Sequence, residues 1–209
     1  MRLFVAIPLA QAVEREIKAL AARLRRSGDG LRWTAPESWH ITLQFLGNAT
    51  TEQFACLRER LAEVRFAPFT VRLGELGSFP RAGVLFVEVV TSAELEALAQ
   101  SVVSATGHCG FTAEDRPFHP HITLARETGN KGPRERGNNS RGGSFAGRRV
   151  DLRQLREQTR GLDAFQPFTA REFLLYESYL EPAGARYEVK ARFATAGMRE
   201  SPPDRPLSA

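Results

Sequence analysis

The tetrapeptide His-Ile-Thr-Leu occurs twice in the chain, at residues 40–43 and again at 121–124. The chain contains only four histidines, and two of them begin these identical tetrapeptides. In a β-strand, alternate side chains point to opposite faces, so histidine and threonine would share one face, and isoleucine and leucine the other. The copies begin 81 residues apart (121 − 40), which predicts a duplicated lobe. Two such strands facing each other would place two imidazoles and two hydroxyls around one small ligand.

The remaining periodicity predicts an α+β chain. A stripe of apolar residues at steps of three and four predicts a helix over 9–27. Thr50-x-x-Gln53 and Thr91-x-x-Glu94 have the form of capping boxes, each of which would begin a further helix, and a short helix is predicted around 151–160. The predicted strands are 2–7, 40–46, 69–76, 83–90, 119–125, 168–180 and 185–193, with Gly77 to Gly83 as a loop.

The flanks of the two tetrapeptides carry a family resemblance. The residues concerned are Met1 to Ile7, Arg32-Trp33, Trp39 to Gly47, Pro120 to Arg126, Leu175 to Ser178 and Arg186 to Val189. They resemble the 2H phosphoesterase superfamily, and most closely the RNA 2′,3′-cyclic phosphodiesterases, also called bacterial and archaeal 2′-5′ RNA ligases. The resemblance implies a bilobal, pseudo-symmetric α+β fold with two antiparallel sheets, each backed by helices, around a central cleft.

The repeated histidines are suited to acid–base catalysis. An unperturbed imidazole has a pKa near 6.5, so at neutral pH one of a pair can be neutral and the other protonated. Hydrolysis of a cyclic phosphodiester needs a base that takes a proton from water and an acid that protonates the departing ribose oxygen. The residues alone do not decide which imidazole has which role. The resemblance implies that His40 is the proton donor and His121 the proton acceptor.

Three further residues are candidates for binding the substrate phosphate. The hydroxyls of Thr42 and Thr123 can donate hydrogen bonds to its non-bridging oxygens. The resemblance implies that Arg126 also reaches the phosphate. Strict alternation from His121 places Arg126 on the opposite face of its strand, so this role requires the strand to end or bulge near Ala125.

Several alternative interpretations apply to these residues. The histidines could be core residues that happen to repeat, and the threonines could reflect β-propensity alone. Two histidines without a third ligand at suitable spacing make a poor zinc site, so neither a metal nor another cofactor is predicted. Trp33 and Phe118 are candidates for stacking on a base, whereas the parity of Phe45 predicts a core position.

Charge is concentrated in one segment of the chain. The net charge is +5, but residues 126–160 contain ten Lys or Arg and four acids, or +6 alone. We expect residues 127–148 to form a mobile basic insertion within a single domain of residues 1–194, followed by a disordered tail at 195–209. No apolar run is long enough to span a bilayer, and no signal peptide is recognised. Cys56 and Cys109 are predicted to be reduced, and the protein to be a cytoplasmic monomer.

These expectations combine into one function and two alternatives. The resemblance implies metal-independent hydrolysis of RNA 2′,3′-cyclic phosphate ends to 2′-phosphomonoesters, together with reversible 2′-5′ ligation of tRNA halves. One alternative is a cyclic phosphodiesterase that acts on a small nucleotide. The other is a non-catalytic RNA-binding module that uses the basic segment.

Overall fold

The structure, a computed structural model, describes residues 1–25, 30–128, 165–181 and 184–195. Within these ranges the chain forms ten strands and three α-helices. The helices are α1 (Gln11–Leu24), α2 (Thr51–Ala62) and α3 (Ala93–Gly107). The strands are β1 (Arg2–Pro8), β2 (Leu31–Trp33), β3 (His40–Asn48), β4 (Phe69–Val71), β5 (Leu73–Phe79), β6 (Val84–Val89), β7 (His121–Glu127), β8 (Phe168–Ala170), β9 (Glu172–Glu181) and β10 (Gly184–Ala194).

The strands form two four-stranded sheets and one short ribbon, and every described pair is antiparallel. The first sheet has the order β10-β9-β1-β3, the second has the order β2-β7-β6-β5, and β4 pairs with β8. Each four-stranded sheet therefore contains one of the two repeated tetrapeptides, at the start of β3 or of β7. This arrangement confirms the predicted α+β fold with two antiparallel sheets.

One hydrophobic core joins both sheets and all three helices. The α1 helix contributes Val13, Ile17, Leu20 and Leu24, the face that the apolar periodicity predicted. Ile17 is fully buried, and burying one such side chain contributes about 1.5–3 kcal/mol. The helix is shorter than the predicted range of 9–27, and Leu9 is buried although it precedes the first turn.

The starts of α2 and α3 are capped by different means. Thr50 and Gln53 form the predicted capping box at α2, because each side chain bonds the backbone N–H of the other. At α3 the predicted Thr91 box is wrong by one residue. Ser92 is the N-cap, and its hydroxyl accepts a hydrogen bond from Leu95 N at 3.3 Å. This bond satisfies one of the backbone donors that a helix start leaves free.

Cys56 and Cys109 form a disulfide, so the prediction of two reduced cysteines is wrong. The bond joins α2 to the residues that follow α3, across 53 positions of sequence. Sequence spacing could not reveal this pair because the two helices become neighbours only in the folded chain. Gln53 Nε2 also donates to Cys109 O at 3.3 Å, which reinforces the same junction.

Several predicted strand boundaries also differ from the structure. The β5 strand continues through Phe79, although 77–83 was predicted to be a loop. Gly77 is needed within β5 because a Cβ there would lie 2.3 Å from the Phe86 ring. The predicted strand 69–76 is divided into β4 and β5 at Arg72, and the predicted strand 168–180 is divided into β8 and β9 at Arg171.

Three predictions concern residues outside the described ranges. They are most of the basic insertion, the helix at 151–160 and most of the C-terminal tail. Among the described helices, none has the length and apolar character needed to cross a membrane.

Candidate functional site

The two tetrapeptides, called here the first motif (His40–Leu43) and the second motif (His121–Leu124), have the same environment. Over the first seven residues of β3 and β7, the pattern of buried, half-buried and exposed side chains is identical. The isoleucines and leucines are buried in the core, and the histidines and threonines are half-buried on the opposite face. The predicted separation of an apolar and a polar face is confirmed for both motifs.

Both imidazoles make the same hydrogen bond. Nδ1 of His40 lies 2.8 Å from Ser38 O, and Nδ1 of His121 lies 2.8 Å from His119 O. A carbonyl oxygen can only accept, so Nδ1 carries the hydrogen and donates in both cases. Each neutral ring is then left with an unprotonated Nε2 that can accept or transfer a proton. The two carbonyls lie two residues before each histidine, and sequence reasoning did not identify them as part of the site.

Aromatic rings surround His40. Its ring centroid lies 4.7 Å from that of Phe4, 5.2 Å from that of Tyr187 and 6.0 Å from that of Tyr176. Phe4 is buried, and the Tyr176 ring stacks on the Phe4 ring with a centroid distance of 5.0 Å. Burial raises the pKa of Tyr176 to about 12, so this phenol keeps its proton at neutral pH.

His121 lies on a different set of rings. Phe79 and Phe86 both have centroids 5.1 Å from that of His121. Gly77 leaves room for the Phe86 ring across the strand. The tripeptide Leu-Phe-Val occurs at residues 3–5 and 85–87, a sequence signal that could have identified both Phe4 and Phe86 beneath the histidines. The two rings are not equivalent, since Phe4 is opposite Phe45 of β3, whereas Phe86 is opposite Thr123 of β7.

Burial and positive charge lower the pKa of both histidines. Burial is the larger cause for His40, whose pKa falls to about 4, and the charges of His121 and Arg126 lower it further. Burial also lowers the pKa of His121, followed by the charges of His119 and Arg126. The carbonyls of Ser38 and His119 oppose these shifts. Both imidazoles are therefore neutral at pH 7, and Arg126 lies near enough to influence the pKa of each.

A β-bulge explains how Arg126 reaches the histidines. Across β6, Phe86 is opposite Thr123 and Leu85 is opposite Ala125, so Leu124 has no partner. Leu124 and Ala125 are consecutive buried residues, and the extra residue returns Arg126 to the face of Thr123. The bulge that the sequence analysis required near Ala125 is present.

The same bulge occurs in the first motif. Across β1, Ala6 is opposite Thr42 and Val5 is opposite Gln44, so Leu43 has no partner. Phe45 is therefore turned to the face of Thr42 and is 54% exposed. The prediction that Phe45 belongs to the core is wrong, because strict alternation ignores the bulge.

Thr34, the residue that follows β2, contacts the bulge of the second motif. Its backbone N–H donates to Leu124 O at 2.8 Å, and its hydroxyl lies 2.9 Å from Thr123 O and 2.8 Å from Leu124 O. The hydroxyl also accepts a hydrogen bond from Trp39 Nε1 at 2.9 Å. Trp39 immediately precedes His40, so this chain of bonds connects the two motifs. The sequence did not single out Thr34.

A groove of about 1050 Å³ adjoins His121 at one end of the site. Its lining includes His121, Thr42, Phe45, Phe79 and Phe118, together with residues of α3. His40, Thr123, Arg126 and Trp33 do not line it. Both predicted stacking residues pack against the core, but Phe118 also borders the groove and Trp33 does not.

Among the described residues, no group of three His, Cys, Asp or Glu side chains is placed to hold a metal ion. The polar groups that gather at the motifs are two imidazoles, two hydroxyls and one guanidinium. These groups can move protons and bind an anion.

Comparison with known proteins agrees with this arrangement. Residues 7–86 match the family model described as LigT-like phosphoesterase. The RNA 2′,3′-cyclic phosphodiesterase of Archaeoglobus fulgidus is 38% identical over 130 residues, covering 60% of this chain and 72% of the relative. The Bacillus subtilis protein of the same name is 34% identical over 137 residues, covering 62% and 73%. The crystal structure of Escherichia coli LigT complexed with 3′-AMP has a TM-score of 0.70 at 25% identity, covering 93% of this chain and 98% of that one. The chain therefore belongs to the LigT-like phosphoesterase family.

Proposed function

We propose that this protein hydrolyses the 2′,3′-cyclic phosphodiester at the end of an RNA to a 2′-phosphomonoester, without a metal ion. The observation that carries the proposal is the pair of equivalent imidazoles, each oriented by a backbone carbonyl so that Nε2 is free. The name RNA 2′,3′-cyclic phosphodiesterase, which relatives of the chain carry, supports the choice of substrate.

The reaction assigns one proton transfer to each imidazole. His121 Nε2 accepts a proton from water as the water oxygen attacks phosphorus. The bond from phosphorus to the ribose 3′ oxygen breaks, and protonated His40 Nε2 gives its proton to that oxygen. Each such transfer by a positioned group contributes about 10²–10⁴-fold to the rate. Assignment of the donor to His40 follows the family resemblance.

The lowered pKa values bear on how His40 acquires its proton. Burial lowers the pKa of His40 to about 4, so this ring is neutral at pH 7. A bound phosphate brings negative charge beside the ring, which favours the protonated form. Substrate binding would thus raise the pKa of the acid and prepare it for catalysis.

Thr42, Thr123 and Arg126 would bind the phosphate during this reaction. Each threonine shares a strand face with its histidine, two residues away, so its hydroxyl can donate to a non-bridging oxygen. The bulge turns Arg126 to that same face. A guanidinium can donate two parallel hydrogen bonds to a phosphate and offset its developing charge.

The terminal base would occupy the groove beside His121. Phe45 is exposed at the rim of this groove, and Phe118 also lines it. Stacking on an aromatic ring contributes about 1–3 kcal/mol per base and is possible with any of the bases. Nothing in the position of Trp33 supports a stacking role.

Several finer features belong to the same proposal. The protein would act as a monomer of one domain, residues 1–194, and would run the reaction backwards as a 2′-5′ ligation of tRNA halves. The basic residues within 127–148 would attract RNA without reading its sequence. A cytoplasmic location is part of the proposal, although the Cys56–Cys109 disulfide is of a kind that is rare in reducing compartments.

The deciding experiment is hydrolysis of a short RNA with a 2′,3′-cyclic phosphate end, in the presence and absence of EDTA. We expect a 2′-phosphate product and the same rate in both conditions. Binding without turnover would support the RNA-binding module, and turnover of small cyclic nucleotides alone would support the small-nucleotide enzyme. A rate that is lost in EDTA and restored by zinc or manganese would contradict a metal-independent mechanism.

A further inference from the structure

A second arginine, Arg32, lies beside Arg126 at one end of the cleft, and its position indicates a binding site for an anion. Arg32 lies on β2 directly opposite Arg126 on β7. Residues directly opposite each other in an antiparallel pair have their side chains on the same face, with Cβ atoms about 5 Å apart. The neighbours of Arg32, Leu31 and Trp33, pack into a small apolar cluster with Leu85 and Ala125 on the other face. Arg32 therefore shares the site face with Arg126.

Two arginines directly opposite each other repel, and their mutual repulsion destabilises a strand pair. Both residues are exposed. Within the part of the chain that the structure describes, neither guanidinium has a hydrogen bond or an ion pair. A pair of this kind is stabilised when an anion binds beside it.

The charges at the two ends of the site differ. At the end that contains Tyr187, burial raises the pKa of the phenol, and the positive charges of Arg126 and Arg2 oppose that shift. Arg2 of β1 is therefore a third arginine in the same region. At the other end, the aromatic groove is bordered by Glu96, Glu114 and Arg116, of which Arg116 and Glu114 form an ion pair at 2.9 Å. An RNA backbone carries one negative charge per linkage. We therefore expect the backbone to lie at the arginine end of the site and the terminal base to lie at the aromatic end.

We infer that Arg32 binds the phosphodiester that precedes the terminal nucleotide, beside the position at which Arg126 holds the cyclic phosphate. This inference rests on the proposed function for the location of the cyclic phosphate. It makes Arg32 a binding residue that distinguishes an RNA end from a lone cyclic nucleotide. Arg32 does not touch the reacting atoms and has no role in the proton transfers.

The test compares three substrates that differ only at this linkage. They are adenosine 2′,3′-cyclic phosphate, the dinucleotide ApA with the same cyclic end, and that dinucleotide with a neutral methylphosphonate as its internal linkage. Arg32→Gln should raise KM about tenfold for the normal dinucleotide, since a contact to a charged group is lost. Its kcat should not change, and KM for the other two substrates should stay within about twofold.

Two companion variants make the result specific. Arg32→Lys keeps the positive charge and should therefore recover part of the affinity. It should not recover all of it, because an ammonium group cannot form the two parallel hydrogen bonds of a guanidinium. Arg58→Gln removes another exposed arginine, on α2, and should leave KM for all three substrates unchanged. For a longer RNA, Arg32→Gln should also lower the slope of log affinity against log salt by about 0.7.

The inference is overturned if Arg32→Gln affects all three substrates equally, or none of them. The first result would indicate that Arg32 contacts the cyclic phosphate or contributes to the stability of the fold. Affinities for the matching 2′-phosphate products, measured by calorimetry, repeat the comparison without any turnover. If the wild-type protein hydrolyses none of the substrates, the proposed function fails, whereas the binding comparison still decides the role of Arg32.

Discussion

The two motif strands are nearly identical where they hold the reactive groups and differ immediately afterwards. In both, a histidine donates from Nδ1 to the carbonyl two residues before it, and the fourth residue forms a bulge. The sixth residue of the strand is then turned to the reactive face, but it is Phe45 in β3 and Arg126 in β7. After the bulge, β3 therefore presents an aromatic ring and β7 presents a cation. The duplication supplies two equivalent imidazoles, and the residue after the bulge makes the site asymmetric.

The largest expected effect comes from the feature that the strands share. His40→Ala and His121→Ala should each lower the hydrolysis rate by at least about 100-fold, because each removes one proton-transfer group. The double variant should lose far less than the product of the two single losses, since the pair acts as a unit. His108→Ala, at the end of α3, is the control and should retain its rate. A near-normal rate in either single variant would contradict the mechanism.

The next effect comes from the feature in which the strands differ. Arg126→Gln should lower kcat/KM about 10–100-fold for every cyclic phosphate, whatever the base, because a charged contact to the phosphate is lost. Phe45→Ala should lower affinity about tenfold for substrates with a purine base and much less for ribose 2′,3′-cyclic phosphate without a base. Steady-state kinetics on both substrates would separate the two roles. Similar losses for both substrates in the Phe45 variant would argue against base stacking.

A third prediction concerns the disulfide that joins α2 to the residues following α3. Replacing both cysteines by alanine should lower the free energy of unfolding by about 2–4 kcal/mol, because the Cys56–Cys109 bond restricts the unfolded chain. Hydrolysis at 25 °C should remain within about twofold, since the junction lies outside the motif strands. Denaturation with urea and a rate assay on the same samples would measure both quantities. A large loss of rate with little loss of stability would show that the junction positions the site.

The last expected effect is the response of the free energy of unfolding to pH. The unfolded chain binds a proton at His40 near the usual pKa of 6.5, whereas the folded protein does so only near 4. The free energy of unfolding should therefore decrease as the pH falls from 6.5 towards 4, because the unfolded state binds more protons over that range. His40→Gln should weaken this dependence.

NMR titration of the imidazole resonances would test the cause directly. We expect the pKa of His40 to be about 4 in the free protein and to rise when inorganic phosphate binds. The His121 pKa should also lie below its usual value and should rise with phosphate. A pKa of 6.5 for His40 in the free protein would show that its ring is not buried.

The sequence by itself determined the features that depend on local periodicity. The repeated tetrapeptide identified both histidines, and alternation placed each threonine on the same face as its histidine. The apolar stripe predicted the buried face of α1, and the Thr50–Gln53 pattern gave the start of α2. These features follow from backbone geometry over a few residues, which is why they can be derived without knowing the rest of the fold.

Only the tertiary structure decided the features that depend on distant segments. Alternation failed at Phe45, because the bulge in β3 is a property of its pairing with β1. The Cys56–Cys109 bond needs α2 and α3 to be neighbours, and no sequence spacing shows that. The opposition of Arg32 and Arg126 likewise exists only in the pairing of β2 with β7. Register and proximity between segments are set by packing of the whole core, so they become visible only in the folded chain.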